Sequence, residues 1–188
     1  MKDDIDSQNK MHRVFFALWP EDKTRNKIIE AFEKSSINKK QGRMVSPDNL
    51  HITLHFIGNV NQQKLDCLHR VAQTVKADSF NLELNHYGYF YKPKVLWIGL
   101  KQKPEPLGFL HKILGDSLAE CNYQVEQRPY APHITLMRKL VEPETLESIN
   151  AIHWCAKEFV LVESIPIEGG VRYKVRERYA LTSVGASL

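Results

Sequence analysis

The chain has 188 residues, of which 43% are hydrophobic and 26% are charged, and its formal net charge at pH 7 is +4. This length supports one sizeable core, and the composition is ordinary for a globular protein. The charge permits an anionic partner, but it is too small for the dense basic face that is typical of a duplex-binding domain.

The cysteines and the N-terminal residues indicate an intracellular protein. The three cysteines lie far apart and show no zinc-binding spacing, which fits a reducing cytoplasm. Residues 1–12 are polar, unlike a signal peptide, and predict a disordered tail before a domain that spans 13–188. No apolar run approaches the roughly 18 residues needed to cross a membrane, so we expect a cytoplasmic protein without a membrane partner.

In the first half of the chain, apolar strands alternate with amphipathic helices. Pro20 and the two acidic residues after it favour a helix start, and Asn61 can cap a second helix. The predicted elements are a strand at 13–19, a helix from 20–22 onward, a short extended piece and turn at 42–49, a strand at 50–58, a helix after 61, and a strand at 80–90.

The second half begins the same order again. An apolar stripe of Leu107, Leu110, Leu114 and Leu118 predicts a helix after the strand that starts this half. The predicted elements are a strand at 94–100, that helix, a short strand at 123–127, a strand at 132–138, a short helix at 142–149, and strands at 158–164 and 172–184.

The tetrapeptide His-Ile-Thr-Leu occurs twice, at 51–54 and at 133–136. Chance repetition of a tetrapeptide that contains histidine is on the order of a one-in-a-hundred event at average residue usage. The flanking elements repeat as well, since each half reads strand, helix, HITL strand, helix, strand. We therefore predict an α+β domain of two packed lobes that are related by a pseudo-twofold axis.

In a strand, residues i and i+2 share a face. His51 therefore lies beside Thr53, and His133 beside Thr135, while the aliphatic residues of both motifs face the helices. A pseudo-twofold axis would bring the two His/Thr pairs together across a cleft. Two imidazoles can divide a proton transfer as acid and base, and threonine hydroxyls can donate to anionic oxygens. With Arg138 as a further donor, this set of side chains suits a phosphodiester.

Several plainer interpretations compete with this one. A single HxT strand is most often an ordinary half-exposed face, and Trp19, Phe56 and Trp97 are expected in the core. His55 falls on the predicted face of His51, so a metal site of His51, His55 and His133 is an alternative. Lys39, Lys40 and Arg43 are normally solvated, although they could rim an anionic cleft. Without an aspartate–histidine cluster or a glycine-rich loop, we expect no metal and no cofactor.

These motifs resemble those of a known family. The segments "RVFFALWP", "VSPDNLHITLHFIG", "VLWIGL" and "PHITLMR" are similar to the two-histidine phosphoesterases, and within them to the bacterial RNA 2′,3′-cyclic phosphodiesterases of the 2′-5′ RNA ligase family. The resemblance covers nearly the whole chain from Arg13. It implies a bilobal α+β fold, with antiparallel sheets that line a central cleft and helices on the outside.

The resemblance also implies metal-independent opening of a terminal 2′,3′-cyclic phosphate to a 2′-phosphate, and in some members reversible, ATP-independent 2′-5′ joining of RNA ends. It makes His51 the general acid, His133 the general base, and Thr53, Thr135 and Arg138 the phosphate contacts. RNA termini or small nucleotide cyclic phosphates would be the substrates of a monomer. Two alternatives stay open: a protein that binds nucleotides or RNA ends without turnover, and a phosphodiesterase for 2′-5′ oligoadenylate or another small cyclic phosphate.

Overall fold

The structure, a computed structural model, describes residues 10–141, 143, 145, 146 and 148–182. Within these residues the chain forms nine strands and three α-helices. In chain order they are β1 (His12–Leu18), α1 (Asp22–Lys34), β2 (Arg43–Met44), β3 (Ile52–Val60), α2 (Gln62–Thr74), β4 (Phe80–Phe90), β5 (Val95–Gly99), α3 (Glu105–Leu118), β6 (His133–Arg138), β7 (Ser148–Ala156), β8 (Glu158–Ile167) and β9 (Gly170–Ala180).

The strands form one antiparallel sheet with two halves. Its order is β7-β4-β5-β6-β3-β1-β8-β9, and the short β2 also pairs with β6. The halves β7-β4-β5-β6 and β3-β1-β8-β9 meet where β3 pairs with β6. Reading outward from this junction, each half has an HITL strand, then a strand that starts one half of the chain, then two more. The predicted α+β class is thus confirmed.

The two halves of the sheet are not the two halves of the chain. Strand β4, which comes from the first half of the sequence, pairs with β5, and the late strand β8 pairs with β1. The turn at 91–94 explains the first exchange, because a short connection favours antiparallel pairing of the strands that it joins. Each half of the chain therefore gives a strand to the other half of the sheet: the first gives β4, and the second gives β8, followed by β9.

The apolar stripes predicted for the helices are buried. Ile28 and Phe32 are the buried apolar residues of α1, which packs against β7, and the four predicted leucines of α3 are fully buried. The side chain of Asn61 caps α2 as predicted, since its Oδ1 accepts a hydrogen bond from the main-chain N–H of Lys64 at 2.9 Å. No helix in the described part of the chain is long and apolar enough to cross a membrane.

Three local predictions were wrong or incomplete. Residues 123–127 form a loop rather than a strand. The helix predicted at 142–149 falls partly on residues outside the described part of the chain, and Ser148 begins strand β7 instead. The sequence prediction missed this strand, although buried and exposed residues alternate in its C-terminal part. The predicted tail at 1–12 lies outside the described residues up to residue 9, but His12 already belongs to β1, where it is buried against Glu163.

A disulfide bond was not predicted. Cys67 of α2 is joined to Cys121, which follows α3, with an S–S distance of 2.09 Å. The two cysteines are 54 residues apart in sequence, and only the packing of α2 against α3 brings them together. The cysteine count therefore no longer supports a reducing compartment.

Candidate active site

The isoleucines of the two HITL motifs, Ile52 and Ile134, lie directly opposite each other where β3 pairs with β6. The strands are antiparallel, so one step along each strand in opposite directions preserves the alignment. By this count each histidine is across from the threonine of the other motif: His51 from Thr135, and His133 from Thr53. The four side chains therefore surround one point of the cleft, which is the convergence that the duplicated motif predicted.

Both HITL strands contain a β-bulge at the leucine. Ala17 of β1 is opposite Thr53 and Phe16 is opposite His55, which leaves Leu54 as an extra residue. On β6, Trp97 of β5 is opposite Thr135 and Leu96 is opposite Met137, which leaves Leu136 as the extra residue (β5–β6 register). The duplication thus extends to an irregularity of the backbone.

The bulge in β6 decides where Arg138 points. In a regular strand, residues five apart lie on opposite faces, so Arg138 would face away from His133. The extra Leu136 restores the face: Met137 is fully buried, and Arg138 is exposed and lines the cleft with Thr135. The sequence analysis included Arg138 in the site, but its reason for doing so was incomplete.

The bulge in β3 has the opposite effect on His55, and here the sequence prediction was wrong. Because Leu54 is extra, His55 turns toward α3 instead of sharing the face of His51. It is buried, its Nε2–H donates to the main-chain oxygen of His111 at 2.8 Å, and its ring stacks on that of His111 at 4.2 Å. Burial lowers the pKa of both imidazoles, that of His111 to about 4. Within the described ranges, no group of three His, Cys, Asp or Glu residues is placed to hold a metal ion.

An equivalent hydrogen bond at each of the two site histidines sets the tautomer of its imidazole. Nδ1–H of His51 donates to the main-chain oxygen of Asn49 at 2.7 Å, and Nδ1–H of His133 donates to that of Ala131 at 2.8 Å. Each histidine is therefore held by the residue two positions before it. This tautomer leaves Nε2 as the nitrogen that can gain or lose a proton, and Nε2 of His51 lies 3.1 Å from Oγ1 of Thr53.

Burial lowers the pKa of both site histidines. The pKa of His51 falls to about 4, chiefly through burial and further through the charges of His133 and Arg138, while the hydrogen bond to Asn49 partly offsets these effects. The pKa of His133 is lowered by burial and by Arg138, against the hydrogen bond to Ala131. In the free protein, burial therefore favours the neutral form of both imidazoles.

Aromatic rings pack against the imidazoles of both site histidines. Trp19 stacks on His51 with ring centroids 5.5 Å apart and planes at 10°, and Tyr173 meets the same imidazole edge-on at 5.3 Å. The ring of Phe90 lies edge-on to His133 at 5.0 Å.

The expectation that Phe56 belongs to the core was wrong, since its side chain is 51% exposed. The extra residue Leu54 turns Phe56 outward.

Two cavities adjoin the four His/Thr side chains. The smaller, of about 240 Å³, contains His51 and Thr135 together with Arg138, Arg43 and Tyr173. The larger, of about 770 Å³, contains Thr53 and His133 and is walled mainly by rings, with basic side chains among them. Besides His133, its aromatic and charged lining residues are His55, Phe56, Phe90, His111, Tyr123, Tyr130, Lys92, Glu126 and Arg128. Each cavity is therefore lined by the histidine of one motif and the threonine of the other.

Two residues that shape the site were missed. The side chain of Asn49 bridges the edge of β9, because Nδ2–H donates to the oxygen of Val171 at 2.9 Å and Oδ1 accepts from the N–H of Tyr173 at 3.1 Å. The hydroxyl of Tyr130 donates to the main-chain oxygen of Thr53 at 3.1 Å. All three bonds join residues far apart in sequence, so only the position of Asn49, two residues before a motif histidine, could have signalled a role.

A sequence model of the 2′-5′ RNA ligase superfamily matches residues 20–164. The chain is 33% identical over 172 residues to the RNA 2′,3′-cyclic phosphodiesterase of Escherichia coli strain K12, across 90% of this chain and 97% of the relative. It is 28% identical over 142 residues to the protein of the same name from Thermotoga maritima, across 73% and 75%. The crystal structure of E. coli LigT complexed with 3′-AMP superposes with a TM-score of 0.85 at 32% identity, across 92% of this chain and 99% of that one.

Proposed function

This chain belongs to the 2′-5′ RNA ligase superfamily, and we propose that it hydrolyses 2′,3′-cyclic phosphate ends of RNA to 2′-phosphates. The family resemblance found in the sequence is confirmed by the match over 20–164. Two relatives are named for this activity, and one relative of the same fold has been solved with 3′-AMP, which supports a nucleotide in the cleft of this chain too.

The observation that carries the proposal is the alignment of each histidine with the threonine of the other motif around the Ile52–Ile134 pair. A cyclic phosphate at that point has an imidazole on either side. Water attacks phosphorus while Nε2 of His133 takes its proton, the bond from phosphorus to O3′ breaks, and Nε2 of His51 gives its proton to O3′. Thr53 and Thr135 donate to the non-bridging oxygens, whose negative charge grows in the transition state.

The acid role of His51 requires that the substrate raise its pKa. In the free protein this pKa is about 4, so the imidazole carries no proton to give at pH 7. A bound cyclic phosphate brings a negative charge beside the ring and compensates the charge of Arg138, and both effects favour the imidazolium. The same charge also acts on His133, so one proton is shared between the two rings, and the assignment of His51 as acid and His133 as base is the one that the family resemblance implies.

The proposal is tested by incubating the purified protein with RNA that ends in a 2′,3′-cyclic phosphate, in EDTA, and identifying the position of the phosphate in the product. A 2′-phosphate is expected. A 3′-phosphate would mean that O2′ rather than O3′ is the leaving oxygen. RNA that binds to the protein but is not opened would favour the non-enzymatic alternative. Cleavage of internal 2′-5′ bonds in oligoadenylate, without opening of cyclic ends, would favour the second alternative.

Joining of RNA ends is a second candidate function, which the cavity on the His133 side favours. Its volume of about 770 Å³ lies within the range of ligand pockets, and its ring-lined walls suit a nucleoside. A nucleoside held there would present its 5′-hydroxyl where water otherwise approaches His133. The product would then be a 2′-5′ phosphodiester, formed without ATP because the cyclic ester supplies the leaving group.

The active cleft needs one chain. Both histidines, both threonines and Arg138 come from a single copy, so we propose a monomer, which sedimentation would test. We also propose that the protein acts in the cytoplasm, where RNA is made; the Cys67–Cys121 disulfide argues against this location, and cell fractionation would test it.

A further inference from the structure

Two arginines face each other across neighbouring strands at the end of the cleft. Arg43 of β2 is directly opposite Arg138 of β6 in an antiparallel pair, and both side chains are exposed. Side chains in this relationship have Cβ atoms roughly 5 Å apart, and like charges there destabilise the sheet. Such a pair is readily explained when an anion binds between the two guanidinium groups.

The backbone around Arg43 holds it in this place. Gly42 packs so closely on β6 that an added Cβ would lie 3.0 Å from Cα of Leu140 and 3.1 Å from the main-chain oxygen of Arg138. The N–H of Val45 donates to the oxygen of Leu136 at 2.9 Å, and Nη1–H of Arg43 donates to the oxygen of Gly169 at 3.0 Å. One face of the guanidinium is thus anchored, and its remaining donors are available to a ligand.

The surroundings of the pair connect it to the reaction site. Both arginines line the cavity of about 240 Å³ that also contains His51 and Thr135. The carboxylate that lines this cavity belongs to Glu168, at the tip of the β8–β9 hairpin, so the lining keeps a positive balance. Arg138 is five residues along β6 from His133, roughly 15 Å of extended chain. The arginine pair is therefore at the far end of the strand from that histidine.

We infer that Arg43 and Arg138 bind a second phosphate of the substrate, the one on the 5′ side of the terminal nucleoside. This inference rests on the proposed function. If His51 protonates O3′, the ribose of the cyclic end lies on the His51 side, and the rest of the RNA leaves through the cavity that holds the two arginines. Arg43 would then contribute nothing to a mononucleotide whose single phosphate is the cyclic one.

The test compares two substrates that differ by one phosphate, adenosine 2′,3′-cyclic phosphate and the same nucleotide with an added 5′-phosphate. We expect the 5′-phosphate to raise kcat/KM in the unmodified protein. Arg43→Ala should lower kcat/KM roughly 10- to 100-fold for the 5′-phosphorylated substrate, the usual cost of a charge-assisted hydrogen bond, and change it less than roughly twofold for the other. Arg43→Lys should recover part of the loss, because it keeps the charge but not the planar fork.

Lys40→Ala is the matched control. Lys40 is exposed, precedes Arg43 by three residues and does not line the cavity. Its replacement by alanine therefore removes one positive charge from the same region of the chain. It should affect both substrates equally and slightly. An equal loss on both substrates in Arg43→Ala would mean that Arg43 serves the cyclic phosphate, and no loss on either would mean that the pair binds no substrate phosphate. Either result overturns the inference.

A binding measurement separates this inference from the proposed function. Titration of the protein with adenosine 2′-monophosphate and adenosine 2′,5′-bisphosphate needs no turnover. We expect the bisphosphate to bind more tightly and to lose that advantage in Arg43→Ala. If neither cyclic nucleotide is opened but this difference is found, the proposed function fails and the phosphate subsite stands; if both are opened without the difference, the subsite fails alone.

Discussion

The main-chain oxygen of Asn49 accepts a hydrogen bond from Nδ1–H of His51 at 2.7 Å, and the side chain of the same asparagine fixes that oxygen in place. The amide group bridges two main-chain positions of β9, Val171 and Tyr173, and it is buried. The orientation of one site histidine therefore depends on a strand that follows it by more than a hundred residues.

Replacement of Asn49 by alanine should lower kcat by roughly 10- to 100-fold with little change in KM, because a misplaced imidazole costs rate more than binding. The bond to Asn49 raises the pKa of His51, so its loss should also move the His51 titration to lower pH. The value of kcat measures the first effect, and the pH profile of kcat/KM measures the second, because kcat/KM reports the free protein. Asn38→Ala, which removes an exposed cap that accepts from Lys40, is the control. An unchanged pH profile would reduce Asn49 to a structural role.

His51→Ala and His133→Ala should each lower kcat by roughly 10²- to 10⁴-fold, the usual contribution of a general acid or base. The double variant should lose less than the product of the two single losses, because both groups act on one transition state. Single-turnover rates give these values. His153→Ala changes an exposed histidine of β7 and should be neutral. Near-normal turnover in either single variant would refute proton transfer by the pair.

The dependence of kcat/KM on pH should be bell-shaped, with its optimum below pH 6.5. This parameter reports the free protein, in which the pKa values of both His51 and His133 lie below the ordinary value. One imidazole must be protonated and the other neutral, so activity falls as pH drops below the lower pKa and as it rises above the higher one. The kcat profile should lie at higher pH, because bound phosphate raises the pKa of a neighbouring imidazole. A kcat/KM optimum above pH 7 would contradict these shifts.

Arg138→Ala should reduce kcat/KM more than Arg138→Lys, because lysine retains the charge but lacks the planar fork that matches phosphate oxygens. Removal of Arg138 should also raise the pKa of both histidines, since its charge lowers them. The kcat/KM optimum of the alanine variant should therefore move to higher pH. Activity of both variants equal to that of the unmodified protein would show that Arg138 contacts no phosphate of the substrate.

Excess EDTA should leave turnover unchanged. The proposed proton transfers use only imidazole and hydroxyl groups, and Nε2 of His55, the third histidine of the alternative metal site, is bonded to the main-chain oxygen of His111. Rates are measured before and after dialysis against the chelator, with a known zinc enzyme as the positive control. Loss of activity that zinc or manganese restores would return the metal-site interpretation to consideration.

The sequence by itself predicted which side chains meet in the cleft and most of the elements around them. The repeated HITL motif predicted that two histidines and two threonines converge, and the i, i+2 rule assigned them to one face because side chains alternate regularly in a strand. Leucine spacing likewise predicted the buried face of α3. These features depend on local periodicity, which a single chain displays openly.

Only the tertiary structure decided which neighbouring residues join the site. A β-bulge depends on the alignment of two strands and leaves no periodic signal, yet Leu136 brings Arg138 to the face of Thr135 and Leu54 turns His55 away from the face of His51. The clamp of Asn49 on β9 and the pairing of Arg43 with Arg138 connect residues that are 124 and 95 positions apart. Such contacts are set by which distant strands pair and in which register, because strand pairing is a relation between segments that neither segment specifies alone.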